Sequence, residues 1–180
     1  MQPFHSSSDF TSTIGDFARG RGLRDRALWP RLRILDGEIA AEQLPELYRA
    51  ADAFVLPSRG EGWGRPHVEA MAMGLPLIAT NWSGPTAYLS EEVGYPLQFT
   101  LVAVPERMGL PGHRWAEPSL PHLRQLMRHV FERRDEARAR GAAARELMVR
   151  KYTPDALAEQ VIAHLLRLEA PAPTLGRDEL

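Results

Sequence analysis

Residues 52–89, DAFVLPSRGEGWGRPHVEAMAMGLPLIATNWSGPTAYL, restrict this chain to few folds. The apolar run Ala53 to Leu56 reads as a strand and leads into a loop carrying Gly60, Gly62 and Gly64. Pro66 opens a helix, where its missing N–H costs no hydrogen bond, and Gly74 ends it. Pro76 to Ala79 is a second apolar strand, followed by the turn Trp82-Ser83-Gly84-Pro85. Strand, loop, helix and strand in this order build a parallel sheet. Such sheets bind ligands beyond the carboxyl ends of their strands. Glu61 lies in the loop and Glu69, seven intervening residues later, in the first helical turn, so both carboxylates belong at that edge.

The flanking sequence extends the same architecture. Phe10, Ile14 and Phe17 have helical spacing, which predicts a helix from about Asp9 to Arg19, ended by Gly20 and Gly22. The basic run Arg21 to Arg33 reads as a solvated connection to an edge strand at Leu32 to Leu35. Leu44 starts a helix with Pro45 in its first turn and an apolar stripe of Leu44, Leu47, Tyr48 and Ala51. The nearly continuous apolar run from Asp52 to Pro57 predicts a parallel strand covered on both faces. Val93 to Phe99 is a candidate further strand. Residues 100–118 are rich in Pro and Gly and read as a long loop containing His113, Arg114, Trp115 and Glu117.

Three helices are expected at about Ser119 to Arg133, Asp135 to Lys151, and Pro154 to Leu168. The last has Thr153 as its cap and Leu157, Val161, Leu165 and Leu168 on one face. The fold class is therefore α/β: a Rossmann-like parallel sheet with flanking helices, ending in helices. Residues 1–168 are expected to form one domain, and the Pro-rich tail 169–180 is expected to be flexible.

Composition narrows function mainly by exclusion. A net charge of −1 over 180 residues gives no sign of nucleic acid or an anionic membrane surface as partner. There is no cysteine, hence no disulfide and no thiolate metal site. No apolar run approaches the roughly 18 residues of a membrane span, and the first twenty residues lack the basic and apolar regions of a secretory signal.

The chemistry is concentrated in Gly60-Glu61-Gly62-Trp63-Gly64. Glycines let the backbone take positive φ and let a ligand approach the amides closely. A carboxylate among such amides can accept two sugar hydroxyls. Glu69 side-chain geometry directs it back toward the helix start, where it suits the vicinal diol of a ribose. The helix start itself offers free amides and partial positive charge to a phosphate. Another reading makes Glu61 and Glu69 the acid and base of a glycoside hydrolase, but placing one in a Gly-rich loop and the other in a helix of a Rossmann-like unit argues against it.

These residues resemble the nucleotide-binding core of family 4 glycosyltransferases, retaining enzymes built from two Rossmann-like domains (the GT-B fold). The matching elements are Pro57-Ser58, Glu61-Gly62-Trp63-Gly64, Glu69, Ala70-Met71-Ala72, Gly74 and Ile78-Ala79-Thr80. A weaker likeness runs over about residues 30–168. The resemblance implies the carboxyl-terminal, donor-binding part of such a fold, which makes residues 1–168 a partial domain. Glu61 would be the catalytic residue, orienting the donor sugar through its hydroxyls. The backbone of Gly62, Trp63 and Gly64 would meet the sugar and diphosphate, and Glu69 would hold the ribose. Arg65, and Ser83, Gly84 and Thr86 in the turn that starts the next helix, are further candidate donor-binding residues. Ala87 stands where the family often has Glu, so no role passes to it.

The family clamps the diphosphate with an Arg and a Lys early in this domain, whereas the only lysine here is Lys151. The resemblance therefore implies partners beyond a nucleotide sugar and an unknown hydroxyl acceptor, namely an amino-terminal Rossmann-like domain lying outside these residues. It implies no cofactor, and no metal is expected, because retaining transfer on this fold needs none. A catalytically silent module binding nucleotide sugar or a protein remains the alternative. The ending Arg177-Asp178-Glu179-Leu180 looks like an endoplasmic reticulum retrieval signal. The expected location is that lumen if the signal operates, and otherwise the cytoplasm.

Overall fold

A computed structural model describes residues 7–23, 27, 29–35 and 37–169. The candidate retrieval signal and the tail beyond Glu169 lie outside the described residues. The chain divides into two compact units, Met1–Leu44 and Pro45–Leu180. In the first, helix α1 (Ser7–Gly20) forms where the spacing predicts it. Its end is closed by Leu23 N–H bonding to Ala18 O at 2.9 Å, with Gly22 at φ 79°, a left-handed cap. The predicted stripe is not a buried one, since Phe10 and Phe17 are exposed and Ala18 is buried. The strand predicted at Leu32 to Leu35 does not form; these residues are exposed and without ladder bonds.

The second unit carries a parallel sheet in the order β1 (Phe54–Leu56), β2 (Leu77–Thr80), β3 (Tyr95–Leu97). Its register pairs Val55 with Ile78 and Ala79 with Pro96. Helix α2 (Leu44–Arg49) precedes β1, and α3 (Arg65–Ala72) crosses from β1 to β2. Gly74, at φ 76°, ends α3 with its N–H on Met71 O and Leu75 N–H on Ala70 O, as the sequence predicts. Alternate residues of β2 face different cores. Leu77 and Ala79 pack with Met71, Leu89, Ala144 and Met148, while Ile78 packs with Tyr95, Val130 and Ala137. Fully burying a side chain such as Leu77 contributes roughly 1.5–3 kcal/mol.

Several expectations are corrected. Strand β1 is half-buried throughout rather than covered on both faces, because it is a sheet edge among the described residues. The α2 stripe does not become core: no α2 residue is buried, Leu47 is exposed, and Ala51 lies beyond the helix. The turn at Ser83 opens a single 3₁₀ turn, Gly84–Ala87, not a helix. Tyr88 leaves helical geometry at φ −138°, and its hydroxyl is engaged elsewhere.

The supposed loop 100–118 is mostly an antiparallel hairpin, β4 (Phe99–Ala103) with β5 (Arg114–Pro118), in which Leu101 faces Ala116. Its turn-forming residues Pro105, Gly109 and Gly112 are confined to the ten-residue link, 104–113. The β-branched Thr100 and Val102 flank Leu101 on a good strand.

Helices α4 (Leu120–Glu132), α5 (Arg134–Tyr152) and α6 (Pro154–Glu169) fall where predicted. Ser119 caps α4 by accepting from His122 N–H at 3.3 Å, and Thr153 caps α6 by accepting from Ala156 N–H at 3.3 Å. The apolar stripe of α6, Leu157, Val161, Leu165 and Leu168, is exposed.

Behind the sheet, Glu136 is held by His129 Nε2 at 3.0 Å and by Arg140 at 2.9 Å. Arg140 also donates to Gly94 O at 2.9 Å and lies 4.4 Å over the Tyr95 ring. The His129 hydrogen bond, with the positive charges of His129, Arg140 and Arg133, keeps the Glu136 carboxyl below its usual range against a desolvation cost.

Candidate functional site

The loops leaving the carboxyl ends of β1 and β2 are laced together by one serine. Ser83 Oγ accepts from Glu61 N–H at 2.9 Å and donates to Glu61 O at 3.0 Å, while Gly84 N–H donates to Glu61 O at 3.0 Å. Ser83 takes φ 55°, rare for a residue with a side chain. A conformation of this kind costs about 1–3 kcal/mol and persists only where its surroundings impose it. Gly84 is obligatory: a Cβ there would stand 2.5 Å from Gly62 O and 2.8 Å from Trp63 Cα. Thr86 donates its hydroxyl to Ser83 O at 2.7 Å, so it closes the turn.

Gly64 precedes α3 in the left-handed region, at φ 85°. A Cβ at this position would meet His67 Nδ1 at 2.5 Å and the Tyr88 hydroxyl at 2.8 Å. Tyr88 donates to Trp63 O at 2.7 Å. Burial, then the charge of Glu61 and the neighbouring Tyr152, push its hydroxyl pKa up. The Trp63 ring stands edge-on to Tyr88 at 5.2 Å and to Tyr152 at 5.3 Å. No described group accepts from the backbone N–H of Gly62, Trp63, Gly64 or Arg65, and no side chain caps α3. This leaves four amides available at a helix start, the arrangement that binds phosphates elsewhere.

The two carboxylates differ in environment. No described side chain hydrogen-bonds or ion-pairs with the half-buried Glu61 carboxylate. Glu69, also half-buried, accepts from the Tyr48 hydroxyl at 2.9 Å and has Arg65 at 3.5 Å on its other oxygen. Burial, together with the hydrogen bond and charge of Glu69, pushes the Tyr48 hydroxyl up to about 12, so it stays a donor. Sequence reasoning assigned Tyr48 to an apolar stripe. The available signal was its hydroxyl, which needs a partner when a tyrosine is drawn inward.

His67 lies close to Arg65 in sequence, where a contact with donor or acceptor and a surface position are the two readings; the structure corrects the surface one. His67 is fully buried, and neither ring nitrogen meets a hydrogen-bond partner. Burial lowers its pKa, against the opposing pull of the Glu61 charge and of the nearby Gly64 and Leu56 backbone, which falls short of hydrogen-bond geometry.

Two grooves lie nearby. One of about 520 Å³ is lined by Trp63, Glu69, Met148, Tyr152 and Leu157. A larger one of about 760 Å³ runs between Thr86–Val93 and α5, and it includes neither Glu61 nor Glu69. Of the candidate residues, only Trp63 and Glu69 line the smaller groove, and Glu61, Gly62, Gly64 and Arg65 line neither, so the site is identified by its chemistry and not by volume. Among the described residues there is no group of three His, Asp or Glu side chains that could hold a metal ion, and no helix is long and apolar enough to cross a membrane.

Comparison with known proteins places this geometry in context. The family model described as "Glycosyl transferases group 1" matches residues 29–101. Mannosylfructose-phosphate synthase of Agrobacterium fabrum is 44% identical over 63 residues, covering 35% of this chain and 13% of the relative. Among solved structures, sucrose-phosphate synthase of Thermosynechococcus elongatus superposes with a TM-score of 0.62 at 24% identity, over 95% of this chain and 37% of that one. HepE of Anabaena, solved with UDP and glucose, also gives 0.62, at 18% identity, over 89% of this chain and 37% of that one. The chain thus spans well under half the length of each of these three proteins. Over residues 29–101 it carries a segment that matches Glycosyl transferases group 1, set in an α/β fold shared with solved glycosyltransferases.

Proposed function

We propose that this chain supplies the donor-binding part of a retaining glycosyltransferase, which moves a hexose from a nucleotide-diphosphate sugar to a hydroxyl acceptor. The observation that carries the proposal is the junction of β1 and α3. There the unpartnered Glu61 carboxylate, four available amides from Gly62 to Arg65, and the Tyr48-oriented Glu69 are brought to one sheet edge. The family match and the UDP and glucose in HepE favour the same chemistry.

In this reading Glu69 accepts the two ribose hydroxyls, with Tyr48 fixing its rotamer. The amides of Gly62 to Arg65 meet the sugar and the diphosphate, with the partial positive charge of the α3 start behind them. Arg65, close to Glu69, can swing toward a phosphate, since an exposed pair of this kind is worth only about 0–1 kcal/mol. Ser83, Gly84 and Thr86 act on the donor indirectly, by fixing the Glu61 backbone. Glu61 orients the sugar. The bond from the anomeric carbon to the diphosphate oxygen breaks, the acceptor oxygen bonds to that carbon on the same face, and the acceptor proton passes to the departing diphosphate. The acceptor would be held by an amino-terminal Rossmann-like domain like the one the resemblance implies.

A second reading, a silent nucleotide-sugar-binding module, draws on one observation. Arg59 on the β1–α3 connection and Arg65 at the start of α3 are both paired, with Glu117 and Glu69 respectively, and Lys151 lies in α5. Both readings predict donor binding. Titration calorimetry of the chain with UDP, GDP and ADP should show binding of at least one, weakened about tenfold or more by Glu69→Ala, as expected for loss of hydrogen bonds to a charged group. Binding indifferent to that substitution would contradict the ribose assignment.

A further inference from the structure

The hairpin β4–β5 begins where β3 ends, at the same carboxyl edge of the sheet that carries Glu61. It lies almost wholly beyond the family match, which stops at residue 101. It is nonetheless tied to both loops that frame Glu61. Three ties converge on Arg59. Ala116 N–H donates to Arg59 O at 3.0 Å, and the Arg59 guanidinium bonds Glu117 through Nε at 2.7 Å and Nη2 at 3.2 Å. The same guanidinium lies 4.9 Å over the Trp115 ring. On the other side, the Phe99 ring meets Trp82, next to Ser83, at 5.4 Å.

We propose that this hairpin is a wall of the sugar subsite, and that Glu117, acting through Arg59, is a positioning residue for Glu61. The inference rests on the donor-site reading above. Glu61 sits between Gly60 and Gly62, which give the segment no stiffness of their own. Its place is therefore set by its anchors, Ser83 on one side and Arg59, two residues before it, on the other. The Arg59–Glu117 pair is about half exposed on both sides, and such a pair adds little to folding stability. Its two-point geometry instead fixes direction, and the stacked Trp115 limits the rotamers open to Arg59. A sugar hydroxyl recognised by Glu61 requires the carboxylate to be held to within a fraction of an ångström. Loss of the anchor should then be felt by the sugar more than by the nucleotide, which Glu69 and the α3 start hold independently.

The test is calorimetry of the 180-residue chain with two probe pairs, UDP against UDP-glucose and GDP against GDP-mannose, reading the ratio of affinities within a pair. Glu117→Gln and Arg59→Gln should each lower the sugar-dependent ratio about tenfold, the effect of one lost charge-assisted contact. The double variant should lower it no further, because the two residues act as one unit. Thermal unfolding of each variant shows that it is folded. An unchanged ratio in the single variants, or additive losses in the double one, would overturn the hairpin's role while leaving the donor site standing. Absence of any nucleotide binding by the unaltered chain would overturn the donor-site reading itself, and the hairpin's role with it.

Discussion

The two sides of the small parallel sheet spend their polar groups differently. Behind it, Glu136, His129 and Arg140 satisfy one another and the Gly94 carbonyl, and Arg140 covers the Tyr95 ring. At its carboxyl edge the Glu61 carboxylate and the amides of Gly62 to Arg65 have no partner among the described residues, Ser83 is held at positive φ, and His67 is buried with both nitrogens unsatisfied. Of these, His67 is fully buried, and a buried polar group left this way is costly; such groups are found where a ligand or a strained backbone is part of function. The rear groups are satisfied by one another. The front edge keeps its hydrogen-bonding capacity for something else.

The largest predicted effects come from two glycines, one at the Glu61 edge and one where α5 packs on Gly74. A Cβ at Gly141 would lie 2.1 Å from Gly74 O, and one at Gly84 would lie 2.5 Å from Gly62 O. Both neighbours are backbone, so each alanine substitution should cost about 1–3 kcal/mol or more in denaturant unfolding. The comparison is sharpened by binding. Gly141→Ala should bind nucleotide normally at temperatures where it is folded, whereas Gly84→Ala should lose binding even when folded. Equal binding by the two would break the distinction between front and rear.

Next comes the acid limb of stability. The folded-state pKa of Glu136 lies below its ordinary value, so the stabilisation is present above about pH 4.3, the unperturbed value, and is lost as pH falls through the lowered one. Glu136→Gln should flatten that part of a melting-temperature profile. An unchanged slope would mean that the rear network does not supply it.

The smallest effect is expected at His67. Burial lowers its pKa, so the folded state binds fewer protons than the unfolded one, and stability is complete above about pH 6.5 and declines as pH falls below it. His67→Leu removes two unsatisfied nitrogens and should raise stability by about 1 kcal/mol, while removing the decline below about pH 6.5. A loss of stability at neutral pH would indicate that the ring has a partner it needs.

Much of the front edge could be read locally. Gly64, Pro66 and Gly74 each mark a backbone event within a few residues, whereas Glu69, expected in the first turn, is the fifth residue of α3 and lies just past that turn, because the helix starts at Arg65. What escaped the sequence is pairing over distance. Tyr48 finds Glu69 across 21 positions and Arg59 finds Glu117 across 58, and no periodicity says which distant groups will meet. The hairpin was hidden because Pro and Gly, concentrated in its link, coloured the whole stretch 100–118. The exposed Leu32 to Leu35 shows the opposite failure, an apolar pattern without the ladder bonds that would make it a strand. The β1 run is apolar enough for a central strand, yet it stands at an edge, because coverage depends on neighbours that the run itself does not contain.

The central claim is that ligand binds at the front edge and not in the larger groove against α5. Backbone amide chemical-shift mapping by NMR, titrating the chain with UDP-glucose and GDP-mannose in turn, tests it most directly. The account predicts that the largest shifts fall on Glu61 to Arg65, Glu69 and Ser83 to Thr86, with His129 to Arg140 unmoved. Largest shifts at Leu89 to Val93 and Arg145 to Lys151, with the Glu61 loop silent, would contradict it.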